Sequence, residues 1–141
     1  MKFNQLYQMK ILHIASVAII NPNKELLLVC KKNSEFYQLT GGKIQNGEND
    51  IETIIREAKE EIGLEIQPQQ LTFLGSHQTK AVNEHNTMVQ GSIYWLHLPY
   101  FFEPVIANEI DKFVWINKNN YQEYSWAHLA KELVQPKWLL L

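Results

Sequence analysis

Apolar positions recur along this chain in two rhythms, and the change between them marks its organisation. Lys10 to Ile20, rich in Ile, Val and Ala, predicts a central strand. Asn21-Pro22-Asn23-Lys24 carries turn chemistry, and Glu25 to Lys32 predicts a second strand folded back on the first as a hairpin. Asn33-Ser34-Glu35 reads as a loop, after which Phe36 to Leu39 runs into a Gly-Gly turn. The rhythm then becomes helical. Ile51, Ile54, Ile55, Ala58 and Ile62 follow the i, i+3, i+4, i+7 spacing of a buried helix face. Asn49 is the expected N-cap, Glu52 completes a capping box three residues on, and Gly63 stands where a left-handed turn ends the helix.

Beyond the helix, Gln67 to Gln70 is a linker and Leu71 to Thr79 a strand. Lys80 to Thr87 reads as a polar loop, and Met88 to Leu98 as a long strand carrying aromatic residues. Pro99 to Asn108 is irregular, Lys112 to Ile116 a short strand, and Tyr121 to Val134 a terminal helix closed by Pro136. Met1 to Gln8 reads as a short appendage. Strands on both sides of one helix, with a second helix at the end, imply an α/β fold whose sheet is covered by helices. At 141 residues the chain is expected to be one domain, residues 1–141, with a core of its own. A net charge of −2 gives no basis for attraction to a nucleic acid polymer or an anionic membrane. Cys30 stands alone, so no disulfide framework is expected, and its strand context suggests a small buried residue. Ile11 to Ile20 is apolar but too short to span a bilayer, and His13 and Ser16 interrupt it. The expected compartment is the cytoplasm.

The other face of the helix carries the candidate chemistry. Glu57, Glu60 and Glu61 are spaced i, i+3, i+4, which brings three carboxylates to one side. Two readings follow: a solvated acidic face, or a cradle for a hard divalent cation such as Mg²⁺ or Mn²⁺.

The surrounding run resembles the Nudix box, G-x5-E-x7-R-E-U-x-E-E-x-G-U, with U a bulky aliphatic. It is filled here by Gly42, Glu48, Arg56, Glu57, Glu60, Glu61, Gly63 and Leu64, and Ala58 at the first U is the single softening. Seven fixed identities arise by chance at about 10⁻⁸ to 10⁻⁹ per start position, so the match is strong. The resemblance implies an α/β/α sandwich with a mixed β-sheet. It also implies a hydrolase that directs water at a phosphorus of a nucleoside diphosphate derivative, with Mg²⁺ (Mn²⁺ possible) as cofactor. By position, Glu57, Glu60 and Glu61 would be metal ligands together with the Gly41 carbonyl. Glu48 and Arg56 would form a buried ion pair holding loop to helix. Gly42 and Gly47 would allow tight turns with positive φ. Lys43 is either a phosphate contact or an exposed side chain. Thr40 stands where many relatives carry proline, which implies altered loop stiffness with activity retained.

Substrate signals are thinner. Lys80, Ala81 and Val82 occupy the region where relatives acting on ADP-ribose or dinucleoside polyphosphates carry proline or tyrosine. By elimination the chain resembles the MutT-like branch, which acts on nucleoside triphosphates. Glu109 precedes Trp115 by six residues, as does a loop carboxylate at the metal site of that branch, so it joins the catalytic candidates. Lys32 falls near a basic position beside their nucleotide. Ser125 falls where they read the base with an asparagine, and Trp126 beside it is the candidate for stacking on a base. Asn83 and Glu84 lie in a loop on the expected substrate side and could contact substrate or metal, or simply form a polar hairpin. His77, His85, His97 and His128 show no ligand spacing and read as structural or exposed. The expected partner is a small nucleotide bound by a monomer or homodimer, with no nucleic acid polymer and no membrane. Two alternatives remain: a non-catalytic nucleotide-sensing module, and a hydrolase of another nucleoside diphosphate derivative such as a nucleotide sugar.

Overall fold

The computed structural model describes residues 9–141, so the expected appendage, residues 1–8, lies outside them. Strand β1, Lys10–Ile20, is central as expected. It runs parallel to β6, Thr87–His97, from the pair Lys10↔Thr87 to Ile20↔His97. β5, Thr72–Lys80, adds antiparallel to β6. On the other edge β1 is antiparallel to β4, Thr40–Lys43, over Ile14–Val17. The sheet is therefore mixed.

Two expectations need correction here. β2, Leu26–Lys31, meets β1 through the single pair Ile20↔Leu26, so no long hairpin forms. β4 already occupies that edge of β1, and β2 instead pairs along its length with β7, Ile110–Ile116, and with β3, Tyr37–Gln38. Second, the Gly-Gly segment is a strand, not a turn. Gly41 has φ 155°, and a Cβ there would collide with the Ala15 carbonyl and with Ser16. The glycine lets β4 lie against β1 at short range.

Alternation along β1 sends its side chains to two cores. Ala15, Val17 and Ile19 pack with Ile54, Ala58 and Ile62 of helix α1, Asp50–Ile62. Ala18 and Ile20 pack with Trp126, Leu129, Val134 and Trp138 of the C-terminal segment. One helix thus covers each face, giving the α/β/α sandwich. Helix α1 begins and ends as its sequence specifies. Asn49 accepts from the Glu52 N–H while Glu52 accepts from the Asn49 N–H, and Gly63 closes the helix at φ 70°. Ile51 and Ile55 are only half-buried, so the buried stripe is narrower than expected and centres on Ile54, Ala58 and Ile62.

The terminal helix is displaced from its expected position. Tyr121–Glu123 is a 3₁₀ turn, and helix α2 occupies residues 128–138. Its middle, Ala130–Val134, is a π turn, with the Gln135 N–H donating to the Ala130 carbonyl. Pro136 therefore does not end the helix. A proline has no N–H and crowds the carbonyl one turn back, and the widened turn ahead of it relieves both conflicts. Among the described residues no helix is long and apolar enough to cross a membrane.

Candidate active site

A cleft of about 540 Å³ opens on the α2 side of the sheet. Its floor is β1 and β6, through Leu12, Ile14 and Val89, and one wall is the start of α2. Loops 32–36 and 81–86 form the rim, and Gly41 to Lys43 of β4 close the end nearest helix α1.

The two glycines make that end of the cleft chemically useful. A Cβ on Gly42 would lie 2.7 Å from the Glu57 Oε1, so any side chain there would push this carboxylate from its place beside the strand. Gly42 does not have the positive φ expected of it; Gly41 and Gly47 do. Glu61 is 6% exposed, and its Oε1 accepts the Gly41 N–H at 3.2 Å. Burial, and then the neighbouring Glu57 charge, push the Glu61 carboxyl up to about 8. Burial also raises the half-buried Glu57 carboxyl, against the pull of Arg56. Glu60 is exposed.

Arg56 organises the outer carboxylates. Its Nε donates to Glu48 Oε2 at 2.6 Å and its Nη2 to Glu48 Oε1 at 2.9 Å, a two-point pair. Nη1 donates to Glu57 at 2.7 Å and to Glu60 at 3.4 Å, and Nη2 reaches the Lys43 carbonyl at 3.3 Å. The guanidinium holds the Glu48 carboxyl at about 2, well below its usual range. Arg56 draws Glu57 and Glu60 while the Gly41 N–H holds Glu61, and no three metal-ligating side chains close into a cage among the described residues.

The remaining candidates divide. Lys32, Lys43, Glu84 and Glu109 all line the cleft, with Lys32 near Glu109 through its N–H to the Glu109 carbonyl at 2.8 Å. Asn83 also lines it and bonds Ser34 across the rim at 3.2 Å. Ser125 and Trp126 do not. The Ser125 carbonyl accepts from the Tyr37 N–H, a β-bridge joins Tyr37 and Trp126, and this pairing turns the indole into the core. Trp126 is 5% exposed and its Nε1–H donates to the Tyr121 carbonyl, so it is a packing residue and not a stacking platform. Residues 127–130 take the expected place of Ser125 and Trp126 on the cleft wall.

Lys31 was not among the sequence candidates, yet it pairs with Glu109 at the cleft. Its Nζ lies 3.6 Å from Glu109, and its charge slightly offsets the rise that burial imposes on the Glu57 and Glu61 carboxyls. The β2–β7 ladder slips between Cys30 and Lys31, where Asp111 is the extra residue, and Lys31 and Lys32 both border the cleft. Strict alternation would send neighbouring lysines to opposite faces, so the sequence held no signal for this arrangement.

The NUDIX domain model matches residues 10–138. The mRNA-decapping enzyme subunit 2 of Saccharomyces cerevisiae is 31% identical over 139 residues, covering 90% of this chain and 13% of the yeast protein. This chain therefore spans only a small part of the length of that relative. The E. coli dihydroneopterin triphosphate pyrophosphohydrolase superposes with a TM-score of 0.76 at 18% identity, covering 92% of this chain and 96% of that one. A MutT NUDIX hydrolase from Burkholderia pseudomallei gives a TM-score of 0.69 at 19% identity, covering 89% and 99%. At these identities the two solved structures speak for the fold. With the NUDIX domain matched over residues 10–138, and with Gly42 beside Glu57 and Glu61 bonded to the Gly41 N–H where β4 borders the cleft, the chain belongs to the Nudix family.

Proposed function

We propose that this chain is a Mg²⁺-dependent pyrophosphohydrolase that cleaves a (deoxy)nucleoside triphosphate into a nucleoside monophosphate and pyrophosphate. The observation that carries this reading is Glu61: a carboxylate 6% exposed, next to Glu57, with no cation within ion-pair distance among the described residues. A buried, uncompensated carboxylate costs several kcal/mol, roughly, unless a positive charge joins it. Oxygen donors from Glu57, Glu60, Glu61 and the Gly41 carbonyl suit a hard divalent ion, Mg²⁺ or Mn²⁺. Such an ion, when bound, neutralises the polyphosphate and makes water a better nucleophile.

The chain's own residues supply the rest. Glu48 fixes Arg56, and Arg56 ties the middle of α1 to the Lys43 carbonyl of β4. Lys31, Lys32 and Lys43 meet phosphate oxygens at the rim. Glu109 accepts the proton of the attacking water, and Glu84 contacts the substrate away from the reacting phosphorus. As the water oxygen bonds to phosphorus, the bond to the leaving pyrophosphate oxygen breaks.

The test is a substrate panel of canonical and oxidised dNTPs, ADP-ribose, nucleotide sugars and dinucleoside polyphosphates, assayed with Mg²⁺ and with EDTA. Wild type should turn over a triphosphate best, EDTA should abolish the reaction, and Glu61→Gln should lose at least ~10²-fold. Turnover that is insensitive to EDTA, or unchanged in Glu61→Gln, overturns the proposal; no turnover of any kind favours a nucleotide-sensing module. The 31% identity to a decapping enzyme favours a second reading, a capped 5′ end, which adding m7GpppG to the panel tests.

A further inference from the structure

Helix α2 enters the cleft over a missing side chain. On the cleft face of the sheet, register places Lys43, Ile14, Gly91 and His77 in one row across β4, β1, β6 and β5. Ile14 fills its position with a side chain and Gly91 leaves a notch. A Cβ at Gly91 would lie 2.5 Å from Leu129 Cδ2 and 3.2 Å from Cδ1, so Leu129 sinks into that notch as far as the backbone permits. Leu129 is 8% exposed and still borders the cleft. It stands two strand spacings from Lys43, about 10 Å, on the side away from the carboxylates.

The helix cannot retreat to make more room. One turn beyond Leu129, Glu132 Oε1 accepts from His77 Nε2 of β5 at 2.7 Å. Leu133 rests over Gly75, where a Cβ would lie 3.6 Å from its Cδ1. Leu12, Ile14, Val89 and Leu129 make this end largely aliphatic, with Thr79 and His128 also on the lining, and no Phe, Tyr or Trp borders the cleft among the described residues. A group lying against Leu129 is therefore gripped mainly by shape and volume.

We propose that Leu129, seated in the notch left by Gly91, sets the size of the nucleoside moiety that the cleft accepts. The proposal rests on the reading of the cleft as a nucleotide site. Trimming Leu129 opens the notch and lengthens the pocket. Adding a methyl at Gly91 lifts Leu129 toward the ligand and shortens it. The two changes should shift selectivity in opposite directions, because one methylene in a packed apolar pocket discriminates by roughly 10-fold or more.

Titration calorimetry with UMP, AMP and N6-benzyl-AMP in Mg²⁺ buffer tests this without requiring turnover. Leu129→Ala should move the Kd ratio of AMP to N6-benzyl-AMP at least ~5-fold in favour of the benzyl compound. Gly91→Ala should move the ratio of AMP to UMP at least ~5-fold in favour of UMP. If one variant does not fold, the other decides. Ratios that move less than this in each folded variant overturn the proposal while leaving the nucleotide site standing. A wild type that binds none of the three overturns the nucleotide reading, and the proposal with it.

Discussion

Glu109 and Glu84 both line the cleft from loops outside the box, yet their surroundings differ. Glu109 has Lys31 at 3.6 Å and raises the Glu61 carboxyl, which places it within electrostatic reach of the carboxylate cluster. Glu84 is exposed in the 81–86 loop, with no ion pair among the described residues. A group that acts mainly in the transition state changes kcat, whereas a uniform substrate contact changes KM. Glu109→Gln is therefore expected to lower kcat at least ~10-fold with little change in KM, and Glu84→Gln to raise KM alone. Steady-state kinetics on the best panel substrate decides, and the reverse pattern would remove Glu109 from the reaction. Glu48 gives a second prediction, in stability. Its carboxyl sits at about 2 when folded, against an ordinary 4.5, through its bonds to Arg56. Between those values the unfolded chain binds more protons, so the pair's contribution is complete above pH 4.5 and is lost as pH falls through 2. Glu48→Gln should flatten the acid limb of stability over that window, and a melting series from pH 2 to 5 that matches wild type would count against the pair. At this scale identity carried the information. The box fixed which residues gather, because no other types satisfy both the ion pair and the acidic cluster. Trp126 and Lys31 were misjudged or missed because a β-bridge and a ladder slip decide where they point, and neither leaves a pattern in sequence.

Helix α1 was legible almost to the residue because its ends are written in side chains: Asn49 and Glu52 at one, Gly63 at the other. Its buried face was read too broadly, at Ile51 and Ile55. Ile55 is half-buried where it packs on the core, whereas Ile54 is fully buried. Ile54→Asp is therefore the change expected to abolish folding, since an unpaired core carboxylate costs several kcal/mol of a typical total of about 5–15. Ile55→Asp should fold with a lowered melting temperature. Circular dichroism melts of both variants check this, and equal behaviour would mean the helix is rotated from its described setting. Strand β4 and helix α2 escaped the reading for a common reason. Gly41-Gly42 and Pro136 are local breakers by propensity, and tertiary contacts override both. The glycines let β4 approach β1 and Glu57, while the π turn accommodates the proline.

Across the whole molecule the sandwich followed from element order, and what element order could not give is how charge is distributed through it. The carboxylates of α1 meet the sheet at β4, where Glu57 lies against Gly42 and Glu61 accepts the Gly41 N–H. The folded chain therefore concentrates negative charge in a place the unfolded chain does not, and this strain should appear in global stability. Glu61, held up to about 8 against an ordinary 4.5, opposes folding whenever it is ionised and uncompensated. A divalent ion that binds the folded state alone adds RT ln(1 + [L]/Kd), about 2.7 kcal/mol at a hundredfold excess over Kd. For a domain of this size that amounts to an increase in Tm of roughly 10 °C. Wild type should thus melt higher with Mg²⁺ than with EDTA at pH 7.5. Glu61→Gln should start from a higher Tm in EDTA, because the buried charge is gone, and should gain much less from Mg²⁺. Differential scanning calorimetry of both proteins in both buffers makes the comparison. An identical Mg²⁺ increment in the two would show that Glu61 does not help hold the ion. No increment in wild type would mean that the carboxylate end of the cleft is not a divalent cation site.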